Sequence, residues 1–186
     1  WADLVVAAEK AAPPPASIPC LKSSRKGMPP FNDPAWKKGF CETNFHLNAV
    51  GKKTLSPKGR THVSAFHDNE RLYVRFLSEG RPTLGGKEVF PSGDSVGLLV
   101  RPEKNLNDYR HLLAAPNGRG YDAKAYDHTW DAEGFSVAVD CTQAAWRAIL
   151  SVPLGEIGVN PTVPGEVYIA FVRSTVEDGV RKTYTS

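Results

Sequence analysis

From Thr61 onward, apolar and polar residues alternate in short runs broken by Gly, Pro, Asn and Asp, the pattern of half-buried strands joined by tight turns. It predicts strands at Thr61 to Phe66, Leu72 to Ser78, Asp94 to Arg101, Tyr109 to Ala114, Gly120 to Ala125, Phe135 to Cys141, Trp146 to Val152 and Val167 to Ser174. Trp146, Ala148, Leu150 and Val152 fall on one face of a half-buried strand, and Pro153 ends its ladder. His67-Asp68-Asn69-Glu70 reads as a tight hairpin turn, and Asn117-Gly118 supplies residues that tolerate positive φ, so neighbouring strands are expected to be antiparallel partners. Helical signal is confined to Asp33 to Lys38 and Pro153 to Ile157, too short to cross between parallel strands. The expected fold class is therefore all-β, an antiparallel β-sandwich with Trp36, Leu72, Val74, Phe76, Trp146, Leu150, Ile169 and Phe171 largely buried.

Ahead of this pattern, AAEKAAPPPASIP from Ala7 to Pro19 is poor in large apolar groups, and its three consecutive prolines favour extended geometry. Residues 1–17 are expected to be a tail or linker and 18–186 the sandwich domain, although Trp1 to Val6 is apolar enough to dock on the domain or belong to a neighbour. The chain opens on Trp1 with no basic stretch followed by an apolar one, so any targeting peptide is expected to be removed or to lie outside this sequence.

Composition narrows the function classes. With 23 Lys+Arg against 20 Asp+Glu in 186 residues, the net charge of +3 does not point to nucleic acid. At 41% hydrophobic and 23% charged, the chain can build a substantial core. Apolar runs such as Leu112 to Ala115 are far below the ~20 residues of a spanning helix, so no membrane association is expected.

Candidate chemistry is sparse. Cys20, Cys41 and Cys141 fit no zinc ribbon; a Cys20 to Cys41 disulfide and three buried thiols are both open. The five histidines are scattered, with His62 and His67 expected on opposite faces. No GxSxG elbow, P-loop or dinucleotide fingerprint occurs, and Asp94, Glu103, Asp108, Asp122 and Asp131 have no context that marks a hydrolytic pair. Asp122, Asp127 and Asp131 cluster as hard oxygen ligands would for calcium, without the spacing of an EF-hand loop. The 4 Trp, 6 Tyr and 8 Phe are more rings than one core needs, and a flat ring beside hydrogen-bonding groups grips the apolar face of a sugar.

The order of segments resembles the family 9 carbohydrate-binding modules and the wider group sharing their fold, over roughly Ile18 to Ser186. Asp33-Pro34-Ala35-Trp36 resembles the opening DxxW element, Phe66 to Val74 (FHDNERLYV) its first hairpin, and Asp94-Ser95-Val96 the start of its DSVE strand. Tyr109-Arg110, Asn117-Gly118 with Tyr121-Asp122, Trp146 before Ile149 and Val152-Pro153-Leu154, and Phe171-Val172-Arg173 follow in the family's order.

That resemblance implies a jelly-roll-like sandwich without catalytic activity, tethered to other domains of a secreted, periplasmic or cell-surface glycan-active protein. It also implies oligo- or polysaccharide as partner, and structural calcium, which is common there. The best-known members grip a chain end between two tryptophans. Their counterparts here are Phe90 and Tyr184, with Arg110 as a hydroxyl-reading donor and Gly97 where the family has glutamate. The chain is expected to lack the family's final strand. Two other readings remain: a structural or interaction sandwich with no sugar site, favoured by Gly97 and the linker-like start, and a haem domain, for which the lone Met28 gives poor support.

Overall fold

The computed structural model describes residues 17–22, 26–47, 59–86, 92–102, 108–160, 162 and 167–186. Within them lie eleven strands: β1 (Phe40–Glu42), β2 (His46–Leu47), β3 (Thr61–His67), β4 (Arg71–Glu79), β5 (Ser95–Arg101), β6 (Arg110–Ala114), β7 (Gly120–Lys124), β8 (Ser136–Cys141), β9 (Ala145–Pro153), β10 (Tyr168–Glu177) and β11 (Val180–Thr185). They form a five-stranded sheet in the order β1-β3-β4-β9-β8 and a six-stranded sheet in the order β2-β11-β10-β5-β6-β7. Every pairing between named strands is antiparallel. All eight expected strands are present, and the described residues contain no helix long and apolar enough to cross a membrane.

Turn chemistry fixes the hairpins. Between β3 and β4, Asp68 Oδ1 accepts the N–H groups of Glu70 and Arg71 while Asn69 sits at φ 73°. Between β6 and β7, Asn117 Oδ1 accepts the Arg119 N–H and Gly118 takes φ 84°. The DxxW element is a single 3-10 turn, Pro34–Lys37, capped by Asp33 Oδ1 on the Ala35 N–H. Pro153 to Ile157, expected as a brief helix, is a run of tight turns.

The main core lies between the sheets and includes Val63, Val74, Phe76, Leu98, Leu112, Trp146, Leu150 and Phe171. Of the expected core residues only Ile169 is half-buried, packed against this cluster from its margin. A second cluster, Trp36, Phe66, Tyr73 and Ile149, sits on the other side of the five-stranded sheet. The 3-10 turn therefore covers β9 from outside. This corrects the expectation of a half-buried strand: Ala148 to Val152 are buried on both faces.

Three strands escaped the pattern. β11, which no apolar alternation marks, pairs with β10 over six positions through a turn at Asp178 and Gly179, with φ of 53° and 77°. At the same end of the sandwich, Arg173 of β10 ties the sheets together. Its Nη1 donates to the Gly59 carbonyl at 3.0 Å and Thr61 Oγ1 at 2.6 Å, and its Nη2 to the Glu79 carbonyl at 3.3 Å.

Both readings of the cysteines are overturned. Cys20, Cys41 and Cys141 are unpaired and exposed, because Cys20 forms an isolated parallel bridge with His67 outside the named strands, Cys41 turns outward opposite Ser64, and Cys141 ends an edge strand. All three thiols are expected to react with Ellman's reagent without denaturant. A count below three in fresh reduced protein would contradict this arrangement.

Candidate functional site

The outer face of the six-stranded sheet carries the chemistry. Because side chains alternate, Leu112 and Ala114 of β6 enter the main core, which turns His111 and Leu113 outward. The register places Leu113 beside Gly97 and Tyr121, and His111 beside Leu99 and Ala123. Leu113, Tyr121 and Ala123 form a separate apolar cluster there.

Glycine at position 97 is a steric requirement. A Cβ at this position would collide with the Leu112 carbonyl oxygen and the Leu113 side chain, so a glutamate could not be restored without moving β6. One rim of the face is set by the connection into β5: the Asp94 N–H donates to the Thr83 carbonyl, and Asp94 Oδ1 accepts the Val176 N–H. Arg181 of β11 closes this rim, its Nη2 donating to Ser95 Oγ at 3.0 Å and its Nε to the Gly93 carbonyl.

The opposite margin is aromatic. Lys124 and Asp127 exchange backbone hydrogen bonds around a turn in which Ala125 adopts φ 52°, and Tyr126 projects from its tip at 79% exposure. An alanine in the left-handed region carries a steric cost that Gly or Asn would avoid. The Tyr126 ring meets that of Tyr109 at 82° with centroids 6.3 Å apart, so the two make an open corner. Deeper in, the Tyr121 hydroxyl and His128 Nδ1 are hydrogen-bonded at 2.7 Å, and His111 meets the Tyr121 ring edge-on. Burial, then the nearby Arg181 and His128, push the His111 pKa down to about 4.

The residues expected from resemblance do not assemble. Tyr184 cannot be a stacking platform: it is 1% exposed, opposite Arg173 on the inner face of β11, with its hydroxyl donating to Glu177 Oε1 at 3.0 Å. Burial and this carboxylate raise its pKa to about 12. Arg110 is also turned inward and buried, its Nη1 on Asp108 Oδ1 at 2.6 Å. Its Nη1 is held by a carboxylate while its buried Nε has no hydrogen-bond partner among the described residues, and Arg110 and the Gly97 position lie on opposite faces of the sheet. Phe90 lies outside the described residues.

The order of strands in two facing antiparallel sheets and the placement of the DxxW turn decide the architecture. The fold is that of the family 9 carbohydrate-binding modules. A family 9 module from Caldicellulosiruptor kristjanssonii solved with cellotriose superposes with a TM-score of 0.60 at 16% identity, over 90% of this chain and 80% of that one. A structure of a module of this family from the same organism with glucose gives 0.60 at 13% identity, over 90% and 84%. No protein-family model matches the chain, and no curated protein matches it.

Two of the three carboxylates that the sequence offered to calcium are engaged within their own loop. Asp122 Oδ2 accepts the Ala132 N–H at 2.5 Å, and Asp127 Oδ1 accepts the Thr129 N–H and hydroxyl, so both carboxylates hold their own loop. No group of three or more His, Cys, Asp or Glu that could hold a metal ion occurs among the described residues. The Tyr109–Tyr126 corner was missed because the one-residue choice between Tyr109 and Arg110 is a matter of strand parity. The signal that could have found it is the polar DAKAYD run, which has no apolar alternation to bury Tyr126.

Proposed function

We propose that this domain binds carbohydrate without transforming it, as one module of a larger glycan-active protein that works outside the cytoplasm. The observation that carries the reading is the corner between the exposed Tyr126 and the half-buried Tyr109, on a fold shared with modules solved with cellotriose and glucose. A pyranose has an apolar C–H face and a hydroxylated edge, and two rings at right angles offer that face a floor and a wall. Phe90 stays in the proposal as a further ring, while Arg110 acts only by packing the sheet behind the site.

Affinity electrophoresis against soluble glucan, xylan, mannan and galactan tests the reading, with titration calorimetry on whichever is retarded. Tyr126→Ala is expected to weaken binding about three- to tenfold, since an aromatic contact is worth about 0.5–1.5 kcal/mol beyond its area and about 1.4 kcal/mol is a factor of ten. Val180→Ala, also at an exposed apolar position, is the control and should bind as the parent does. The purified domain should release no reducing sugar. Retardation by none of the polysaccharides would favour a structural or interaction sandwich, the reading that the inward Tyr184, the paired Arg110 and the steric demand at Gly97 support.

A further inference from the structure

Tyr126 stands at the tip of an exposed run, and what fixes its ring lies at the base of that run. Lys124 and Asp127 exchange backbone hydrogen bonds, so Ala125 and Tyr126 form a two-residue hairpin tip, and the Tyr109 carbonyl accepts the Ala125 N–H. Tyr126, Asp127, His128 and Thr129 are all exposed, so apolar burial does not secure them, and Ala125 at φ 52° is a strained entry to the tip. Asp127 Oδ1 accepts the Thr129 N–H and hydroxyl, bonds that stay within the run. Continuing the ladder from the Lys124–Asp127 bridge puts His128 opposite Ala123, on the outer face that Tyr121 shares. There His128 Nδ1 and the Tyr121 hydroxyl are hydrogen-bonded at 2.7 Å. Tyr121 is a firm anchor: it is buried with Leu113 and Ala123, and His111 braces its ring edge-on with centroids 5.8 Å apart.

We infer that the Tyr121–His128 hydrogen bond is a latch that presets the Tyr126 ring for sugar, with His128 as a positioning residue, an inference that rests on the proposed carbohydrate binding. The run leaves β7 at Lys124, and the latch ties it back to β7 at Tyr121, so the hairpin tip is held from both sides. A ring held in place before binding loses little freedom on stacking, whereas a swinging ring gives up part of the stacking energy to be ordered. Opening the latch lowers the fraction of molecules with the corner formed, and apparent affinity falls by that same fraction. Because the latch acts through Tyr126, its loss should cost no more than removal of the Tyr126 ring itself, and the two losses should not add.

Titration calorimetry of the whole 186-residue chain with whichever of glucan, xylan, mannan or galactan retards it tests the latch, together with backbone-amide heteronuclear NOE values measured without glycan. Tyr121→Phe removes the hydroxyl and keeps the ring, and His128→Ala falls at an exposed position; each should weaken binding about threefold, the low end for a neutral hydrogen bond. His128→Asn keeps a hydrogen-bonding atom where Nδ1 stands and should bind as the parent does. In a Tyr126→Ala background, Tyr121→Phe should cost nothing further, a result that a general loosening of the sheet would not give. NOE values at Tyr126 and Asp127 should match those of β7 in the parent and drop in Tyr121→Phe, while those at Leu113 and Ala123 hold. Parental affinity in both Tyr121→Phe and His128→Ala, full additivity with Tyr126→Ala, or unchanged NOE values at Tyr126 overturns the latch and leaves carbohydrate binding intact. Retardation by none of the polysaccharides overturns both.

Discussion

Arg173→Ala is expected to destabilise the domain by about 3–5 kcal/mol, the range for removing one partner of a buried charge network. Folded domains are stable by about 5–15 kcal/mol, so this single change could take the protein close to unfolding at ambient temperature. Arg173 is 3% exposed, and its three donations join β10 to the Gly59–Thr61 segment and to Glu79 on the opposite sheet. Burial lowers its pKa, and the neighbouring Asp94 and Glu177 act in the other direction to hold it charged. Removing it takes a positive charge away from those two buried carboxylates, which keep Val176, Tyr184 and Lys182 as partners, and frees two carbonyls and a hydroxyl from their donor. Arg173→Lys should recover part of the loss, because an ammonium keeps the charge but lacks the fork that reaches three acceptors. Arg147→Ala is the contrast: its pair with Asp140 is exposed on both sides and should matter by less than about 1 kcal/mol. Urea melts that place Arg173→Ala beside Arg147→Ala would contradict the tie between the sheets.

The architecture was legible because eight strands carry enough residues for alternation to show. β1 and β2 have three and two residues, too few for any period, and take their place only by pairing with β3 and β11. β11 reads VRKTYT, with a single aliphatic residue, so hydrophobic pattern was silent there. The Asp-Gly step before it was a hairpin signal of the kind already used at Asn117-Gly118. Reading it would have set the register of Tyr184 and shown that it points inward. The second apolar cluster was harder to see: a strand covered on both faces loses the alternation that identifies a single buried face.

The functional face depends on finer information. Sequence order offered Tyr109-Arg110 as the family's counterpart, but which of the two faces outward is decided by pairing with β5, since a one-residue slip exchanges the faces. Gly97 looked like a lost acceptor, whereas its cause is the approach of the Leu112 carbonyl, a contact between residues 15 apart that no local pattern encodes. Tyr126 depends on a turn containing a left-handed alanine, which residue preferences in turns argue against.

Stability should fall as pH drops from about 6.5 toward 4, and His111 should be the cause. Its imidazole is half-buried on the outer face against Tyr121, near Arg181 from β11 and His128 from the loop after β7. Loss of solvation first, and the two basic neighbours after it, disfavour the imidazolium and push the folded pKa down to about 4. Over this window the unfolded chain takes up a proton that the folded chain refuses, so each step to lower pH favours unfolding. Stability is full above the unfolded value of 6.5 and is lost through the folded value of about 4, by roughly 3 kcal/mol at the limit. Asp68 and Asp127 are held below their ordinary value of 3.8, so most of their own acid loss falls under this window. Although burial alone would raise Asp68, the Tyr73 hydroxyl and the Arg71 and Glu70 N–H groups bring it down, and the Thr129 hydroxyl and N–H do the same for Asp127. His111→Gln keeps a polar side chain of similar reach without the charge, and should flatten the dependence between pH 6.5 and 4 while leaving stability at pH 8 nearly unchanged. Urea midpoints across this range, with the His111 ring proton shift followed by NMR, decide the matter. A His111→Gln profile that falls as steeply as the parent, or a His111 shift that titrates near 6.5, would place the acid sensitivity elsewhere.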